Sequence, residues 1–115
     1  MVEKQSKFSS MVAMFIQRAI ESGYMLTLGD AYRTPKEAAE EAAAGRGISN
    51  SLHCQRLAID LNAFFNGKYL DGSEPWHIPH LEKLGKLWES LEGSWGGRFE
   101  KRDYNHYSLM HNGVR

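Results

Sequence analysis

The chain has 115 residues, the length of about one domain. Fourteen lysines and arginines balance fourteen acidic residues, which argues against a domain that holds nucleic acid or anionic lipid mainly by bulk charge. The one cysteine cannot form an internal disulfide, and this excludes a small secreted scaffold held together by disulfides. We therefore expect a single globular domain over residues 1–115, acting as a monomer.

The N-terminal segment does not have the pattern of a targeting signal. Its apolar run, residues 11–16, is short and is followed by Gln17, Arg18 and Glu21. No stretch of the sequence approaches the roughly 18 apolar residues that a membrane span requires. We expect a protein that is made in the cytoplasm, without membrane insertion and without a nucleic-acid partner.

Apolar residues recur at helical spacing in some segments and at every second position in others, which predicts both helices and strands. The expected elements, in chain order, are a helix from Ser6 or Ser9 to Gly23, a strand over 24–28, a helix from Thr34–Pro35 to Gly45, a loop over 45–52, a strand over Leu57–Phe65, a returning segment over 68–70, a helix over Ile78–Leu91 and a strand over His106–Met110. Asn66-Gly67 is typical of a hairpin turn. The irregular alternation of helices and strands indicates an α+β fold.

A carboxylate stands in the middle of the longest predicted strand. The period of two places Asp60 with Ala58 and Asn62 on the face opposite the apolar residues. A carboxylate in such a position needs a partner that compensates its charge. His53 can reach the same point only if the chain turns near Gln55. Such a turn would let the imidazole and the carboxylate bind one ion.

A second segment places a carboxylate, Asp103, three residues before His106. Two imidazoles and one carboxylate leave the fourth position of a tetrahedral zinc open for water. A carboxylate nearby that does not bind the metal would take the proton of that water. The spacing also allows two other interpretations. Asp60 could be satisfied by backbone donors or by Arg56, and residues 103–106 could form an Asx-type turn.

Several ordered motifs resemble those of the zinc peptidases that include D-alanyl-D-alanine carboxypeptidases and phage L-alanyl-D-glutamate endolysins. The motifs are Ala31-Tyr32-Arg33-Thr34, Ser51-x-His53, Leu57-Ala58-x-Asp60, Trp95-Gly96-Gly97 and Asp103-x-x-His106. The resemblance extends from about Leu28 to Tyr107. It implies a hedgehog/DD-peptidase-like fold, in which a small antiparallel sheet is flanked by helices and the cleft runs across the sheet.

The resemblance also implies roles for single residues. His53, Asp60 and His106 would bind zinc, and Asp103 would be the general base.

Arg33 would face the scissile carbonyl or a substrate carboxylate and stabilise the oxyanion. Ser51 would hydrogen-bond the substrate or support the loop that carries a ligand. An alternative for Arg33 is an ion pair with a nearby acid such as Glu37.

The resemblance therefore predicts a zinc-dependent peptidoglycan peptidase, a phage endolysin that cleaves the L-alanyl-D-glutamate bond of the stem peptide. Such an enzyme would have bacterial peptidoglycan as its partner and would act on the cell wall after release. The alternatives are a D-alanyl-D-alanine carboxypeptidase and a noncatalytic wall-binding or virion structural module on the same fold.

The remaining histidines are expected outside the metal site. His77 and His80 stand at the start of a predicted helix, where exposure to solvent is expected, and His111 stands in a terminal turn. Cys54 is expected to be a small, partly buried thiol.

Overall fold

The computed structural model describes residues 1–48 and 50–115 and shows an antiparallel sheet packed against helices. The helices are α1 (Val2–Glu21), α2 (Pro35–Ala43) and α3 (His77–Ser90), and the strands are β1 (Met25–Leu28), β2 (Ala58–Phe65), β3 (Lys68–Tyr69), β4 (Ser94–Trp95) and β5 (His106–Ser108). Two short 3₁₀ turns lie at Leu52–Gln55 and Gly96–Arg98. The α+β fold expected from the sequence is confirmed. The predicted loop over 45–52 includes Ser49, which lies outside the described residues.

The strands of the sheet follow the order β1-β2-β5-β4, and β3 pairs with the far end of β2. All of these pairings are antiparallel. The hairpin between β2 and β3 turns at Asn66 and Gly67, whose φ angles are 51° and 77°, as a tight two-residue turn requires. In the pairing of β2 with β5, Asp60 stands directly opposite His106. The central strand pair therefore brings two of the predicted metal ligands together.

The hydrophobic core lies between the sheet and helices α1 and α3. Helix α1 buries one stripe of side chains at helical spacing, which includes Phe8 and Phe15. The ring of Phe15 lies 5.6 Å from that of Trp88 on α3 and 4.7 Å from that of Tyr107 on β5. This aromatic packing fixes α1 and α3 against the face of the sheet opposite Asp60.

Helix α1 begins at Val2, earlier than the expected start at Ser6 or Ser9. Tertiary contacts hold its first turn, because Lys4 Nζ donates to Met110 O at 2.6 Å and Gln5 Nε2 donates to Gln55 O at 2.9 Å. No helix in the described ranges, 1–48 and 50–115, is long and apolar enough to cross a membrane.

Helices α2 and α3 lie close to their predicted positions. Thr34 caps α2, and its Oγ1 accepts a hydrogen bond from the Glu37 N–H at 3.1 Å. Helix α3 differs by one residue at each end from the prediction. The expected exposure of His77 is wrong, because its side chain is only 5% exposed. The sequence pattern did not predict β4 or the two 3₁₀ turns, which are too short to carry a periodic signal.

Candidate active site

The 3₁₀ turn Leu52–Gln55 carries His53 toward the sheet. Ser51 caps this turn, and its Oγ accepts a hydrogen bond from the His53 N–H at 3.2 Å. The turn ends at Arg56, whose φ of 57° and ψ of 35° are left-handed. This change of direction is the turn near Gln55 that the sequence required. The contact of Ser51 fits the role of supporting the ligand loop.

The ring of His53 is oriented by the backbone. Its Nδ1 lies 2.9 Å from the carbonyl oxygen of Ala31, which can only accept, so Nδ1 carries a proton. The other nitrogen, Nε2, faces Asp60 Oδ1 at 3.4 Å. A histidine that donates one ring N–H to a carbonyl and presents the other nitrogen to an ion is the usual arrangement at metal sites.

His106 approaches the same carboxylate from strand β5. Its Nδ1 lies 3.8 Å from Asp60 Oδ1, and the rings of His53 and His106 lie 5.3 Å apart. One ligand atom from each of these three residues lies within 4.8 Å of the other two. Within residues 1–48 and 50–115 this is the only group of three or more such residues that could hold a metal ion.

The three side chains fit a zinc ion. Zinc–nitrogen and zinc–oxygen bonds of about 2.0–2.2 Å in a tetrahedron place neighbouring ligand atoms roughly 3.3 Å apart. The 3.4 Å between His53 Nε2 and Asp60 Oδ1 matches this separation. Asp60 Oδ1 is also buried and has no hydrogen-bond partner among the residues that the structure describes. A buried carboxylate oxygen without a hydrogen-bond partner can bind a cation. Two imidazoles and one carboxylate are ligands that suit zinc.

The two histidines differ in their affinity for a proton. Burial lowers the pKa of His53, but Asp60 and the Ala31 carbonyl raise it more, so that the net direction is upward. Burial, with the positive charge of His53 next, lowers the pKa of His106 to about 4. His106 is therefore neutral near pH 7, the form in which imidazole binds a metal.

Asp103 stands beside this group without belonging to it. Its Oδ2 lies 4.0 Å from His106 Nδ1, and its side chain, which is 52% exposed, lines a cleft. Burial first, and the negative charge of Asp60 second, raise the pKa of Asp103. The backbone holds the residue in place, because Asp103 N–H donates to Gly96 O at 3.0 Å and His106 N–H donates to Asp103 O at 3.2 Å. A carboxylate in this position, beside the three potential metal ligands, can accept a proton from a molecule bound in the cleft.

Arg33 lies in the same cleft and is only 15% exposed. Its guanidinium pairs with Asp30 Oδ2 at 3.0 Å rather than with Glu37, which bonds to Thr34. The backbone N–H of Arg33 donates a hydrogen bond to the backbone carbonyl of His53 at 3.3 Å. The charge of Arg33 also lowers the pKa values of His53 and Asp103 as a minor cause.

All six residues that the sequence singled out line one cleft of about 660 Å³. They are Arg33, Ser51, His53, Asp60, Asp103 and His106. Sequence reasoning missed the basic side chains of the cleft walls: Arg46, Lys101, Arg102 and Arg115. Basic residues in loops are common on surfaces, so no pattern distinguished these four before the fold placed them together.

A family model described as D-alanyl-D-alanine carboxypeptidase matches residues 44–109, which is more than half of the chain. The chain therefore belongs to this family of zinc peptidases, and the family expected from the sequence motifs is confirmed. The crystal structure of the Serratia marcescens L-Ala D-Glu endopeptidase ChiX is similar, with a TM-score of 0.66 and 18% sequence identity over 89% of this chain and 79% of that chain. At this identity the likeness shows a shared fold. No curated protein matches the sequence.

Proposed function

We propose that the chain is a zinc-dependent hydrolase that cleaves an amide bond in the peptide stems of bacterial peptidoglycan. The observation that carries this proposal is the group of His53, Asp60 and His106, whose ligand atoms lie within 4.8 Å of one another. Asp103 lies beside this group, with its Oδ2 4.0 Å from His106 Nδ1. Membership of a peptidase family supports the reaction class. We favour the L-alanyl-D-glutamate bond, because the similar structure is that of an L-Ala D-Glu endopeptidase.

The chain's own residues suit each part of such a hydrolysis. His53, Asp60 and His106 would hold the zinc ion, which when bound polarises a carbonyl and makes water more acidic. Asp103 accepts the proton of the attacking water and can return it to the leaving amine. Arg33 presents a positive charge to the oxyanion that develops on the carbonyl or to a substrate carboxylate. Ser51 keeps the His53 loop in position through the 3.2 Å hydrogen bond.

A second candidate is the D-alanyl-D-alanine carboxypeptidase reaction. The description of the matching family model favours it. Both reactions attack an amide of the same stem peptide and can use the same metal-binding group. The resemblance to phage endolysins suggests that the endopeptidase takes part in cell lysis. Lysis of permeabilised bacteria after addition of the protein would test this role.

The proposal is tested by digestion of purified peptidoglycan with the zinc-loaded protein, with and without a chelator, and mass spectrometry of the products. We expect new N-terminal D-glutamate stems that disappear with the chelator and return when zinc is restored. Loss of terminal D-alanine instead would assign the carboxypeptidase reaction. Absence of cleavage in several wall types by zinc-loaded protein would contradict a catalytic role and favour a noncatalytic module.

A further inference from the structure

The cleft is basic although the whole chain is neutral. Among the residues that the structure describes, five cationic side chains and two carboxylates line it. The cations are Arg33, Arg46, Lys101, Arg102 and Arg115, and the carboxylates are Asp60 and Asp103. With fourteen positive and fourteen negative residues in the chain, this local excess is balanced by acids elsewhere on the molecule. A cleft lined by one sign of charge attracts ligands of the opposite sign.

Two of the five cations form ion pairs with acidic side chains of the protein. Arg33 pairs with Asp30 at 3.0 Å, and Arg46 pairs with Glu41 at 2.7 Å. A carboxylate beside each guanidinium reduces its attraction for a further anion. These two arginines therefore present less than their full charge to a ligand.

Of the other three, Arg115 has its guanidinium over the ring of Phe99, 5.2 Å from the centroid, and Lys101 and Arg102 remain. In the part of the chain that the structure describes, neither has a carboxylate within 4.0 Å. Lys101 Nζ donates to the Gly45 carbonyl at 3.3 Å, and Arg102 Nη1 donates to the Gly97 carbonyl at 3.2 Å. Carbonyl oxygens orient these two side chains but leave their full charges uncompensated.

The position of this pair relates it to the reacting centre. Both residues immediately precede Asp103 in the chain, and all three line the same cleft. The contact of Lys101 with Gly45 also connects the two walls of the cleft, the loop after α2 and the loop before β5. An anion held here would lie in the same cleft as the metal-binding group.

We infer that Lys101 and Arg102 form a carboxylate-binding subsite that selects an acidic peptide, one with a free carboxylate on the residue adjacent to the scissile amide. This inference rests on the proposed function. A lysine ammonium and an arginine guanidinium are strong donors to carboxylates. A peptide in which this carboxylate is amidated keeps its shape and loses the charge, so it binds more weakly.

The test uses two synthetic peptides, L-alanyl-γ-D-glutamyl-L-lysine and its analogue with D-isoglutamine, which differ only in a carboxylate and a carboxamide. Their dissociation constants are measured by calorimetry on the zinc-loaded Asp103→Asn protein, so that binding is read without turnover. We expect the acidic peptide to bind about five- to tenfold more tightly at low salt. This preference should shrink as ionic strength rises.

Variants assign the preference to the two side chains. The double substitution Lys101→Gln with Arg102→Gln should remove the preference and leave the affinity for the amidated peptide unchanged. Lys101→Arg with Arg102→Lys keeps both charges and should retain most of the preference for the acidic peptide. Lys86→Gln, an exposed lysine on α3 outside the cleft, is the matched control and should have no effect. Thermal unfolding and zinc content of each variant check that the fold and the metal are retained.

The outcomes separate this inference from the proposed function. Equal affinities for the two peptides, or a preference that survives the double glutamine substitution, would overturn the inference even if the wild type cleaves both peptides. A charge-dependent preference in a protein that cleaves neither peptide would support the subsite and contradict the hydrolase. If the double variant loses affinity only for phosphate-bearing wall polymers, the cations bind a different class of macromolecule and the inference is wrong.

Discussion

Two clusters of histidine and acidic residues lie in this small fold, and they differ in how their polar atoms are satisfied. In the His53 cluster (His53, Asp60 and His106), the buried Asp60 Oδ1 faces both imidazoles and has no hydrogen-bond partner in the described residues. The His77 cluster (Asp71, Glu74 and His77) contains no such atom among the described residues. His77 Nδ1 accepts a hydrogen bond from Gly72 N–H at 3.1 Å.

The difference distinguishes a binding site from a structural cluster. Buried polar groups nearly always have hydrogen-bond partners, and those without one require an explanation such as a missing ion. In the His77 cluster the carboxylate of Asp71 accepts a hydrogen bond from Ser73 N–H at 2.9 Å. Hydrogen bonds from Ser73 also hold the pKa of Asp71 below its usual value. The His77 cluster therefore stabilises the loop before α3. The His53 cluster has an unpartnered carboxylate oxygen that can bind a cation.

The largest effect should come from His53→Ala. Loss of one of three ligands should weaken zinc binding by about a hundredfold or more, and hydrolysis should be lost with the metal. His77→Ala is the matched control, since it removes an equally buried histidine from the other cluster. Zinc titration and metal analysis of the two purified variants measure the contrast. Stoichiometric, tight zinc in His53→Ala would remove His53 from the ligand set.

Asp103→Asn should have the next largest effect. The amide cannot accept the proton of the attacking water, so the rate of hydrolysis should fall by about 10²–10⁴-fold while zinc content stays unchanged. Asp71→Asn, in the His77 cluster, should leave the rate unchanged. The measurement is kcat on a stem peptide together with metal analysis. Full activity of the Asp103→Asn protein would show that another group is the base.

Gly96→Ala tests how the backbone positions the His53 cluster. A Cβ at this residue would overlap with the Asp103 carbonyl oxygen and with Cβ of His106, neither of which can move freely. We expect a loss of unfolding free energy of about 3 kcal/mol, accompanied by weaker zinc binding. Gly47→Ala is the control, because among the described residues its Cβ would come within 4 Å only of Arg33 Nη1, at 3.9 Å. Equal stability and zinc affinity in both variants would contradict the proposed positioning by Gly96.

His77→Ala should have the smallest effect, and it tests whether the His77 cluster has a structural role only. The Gly72 N–H loses its acceptor, and we expect a loss of about 1–3 kcal/mol of unfolding free energy. Denaturant unfolding with a chelator present measures it, because bound zinc would add its own stabilisation. Zinc affinity should equal that of the wild type. A weaker affinity would mean that the two clusters are not separate in function.

Local patterns were sufficient for most helices and strands. The cap formed by Thr34 and Pro35, the hairpin at Asn66-Gly67 and the apolar stripe of α3 each depend on residues a few positions apart. The structure places these elements within about one to two residues of the expectation, as it does for α3. Where the prediction failed, as at His77, distant or loop partners decided the outcome: burial of that ring depends on Asp71, Gly72 and Glu74 around it.

The sequence by itself determined the fold class, the polar face of β2 with Asp60, and the motifs that indicate the peptidase family. Only the tertiary structure decided that His53 Nε2, Asp60 Oδ1 and His106 Nδ1 meet, and that Lys101 and Arg102 stand unpaired in the same cleft. The physical reason is the range of the interactions. Strand alternation and helix capping act between near neighbours, whereas the antiparallel register that sets Asp60 opposite His106 joins residues far apart in the chain.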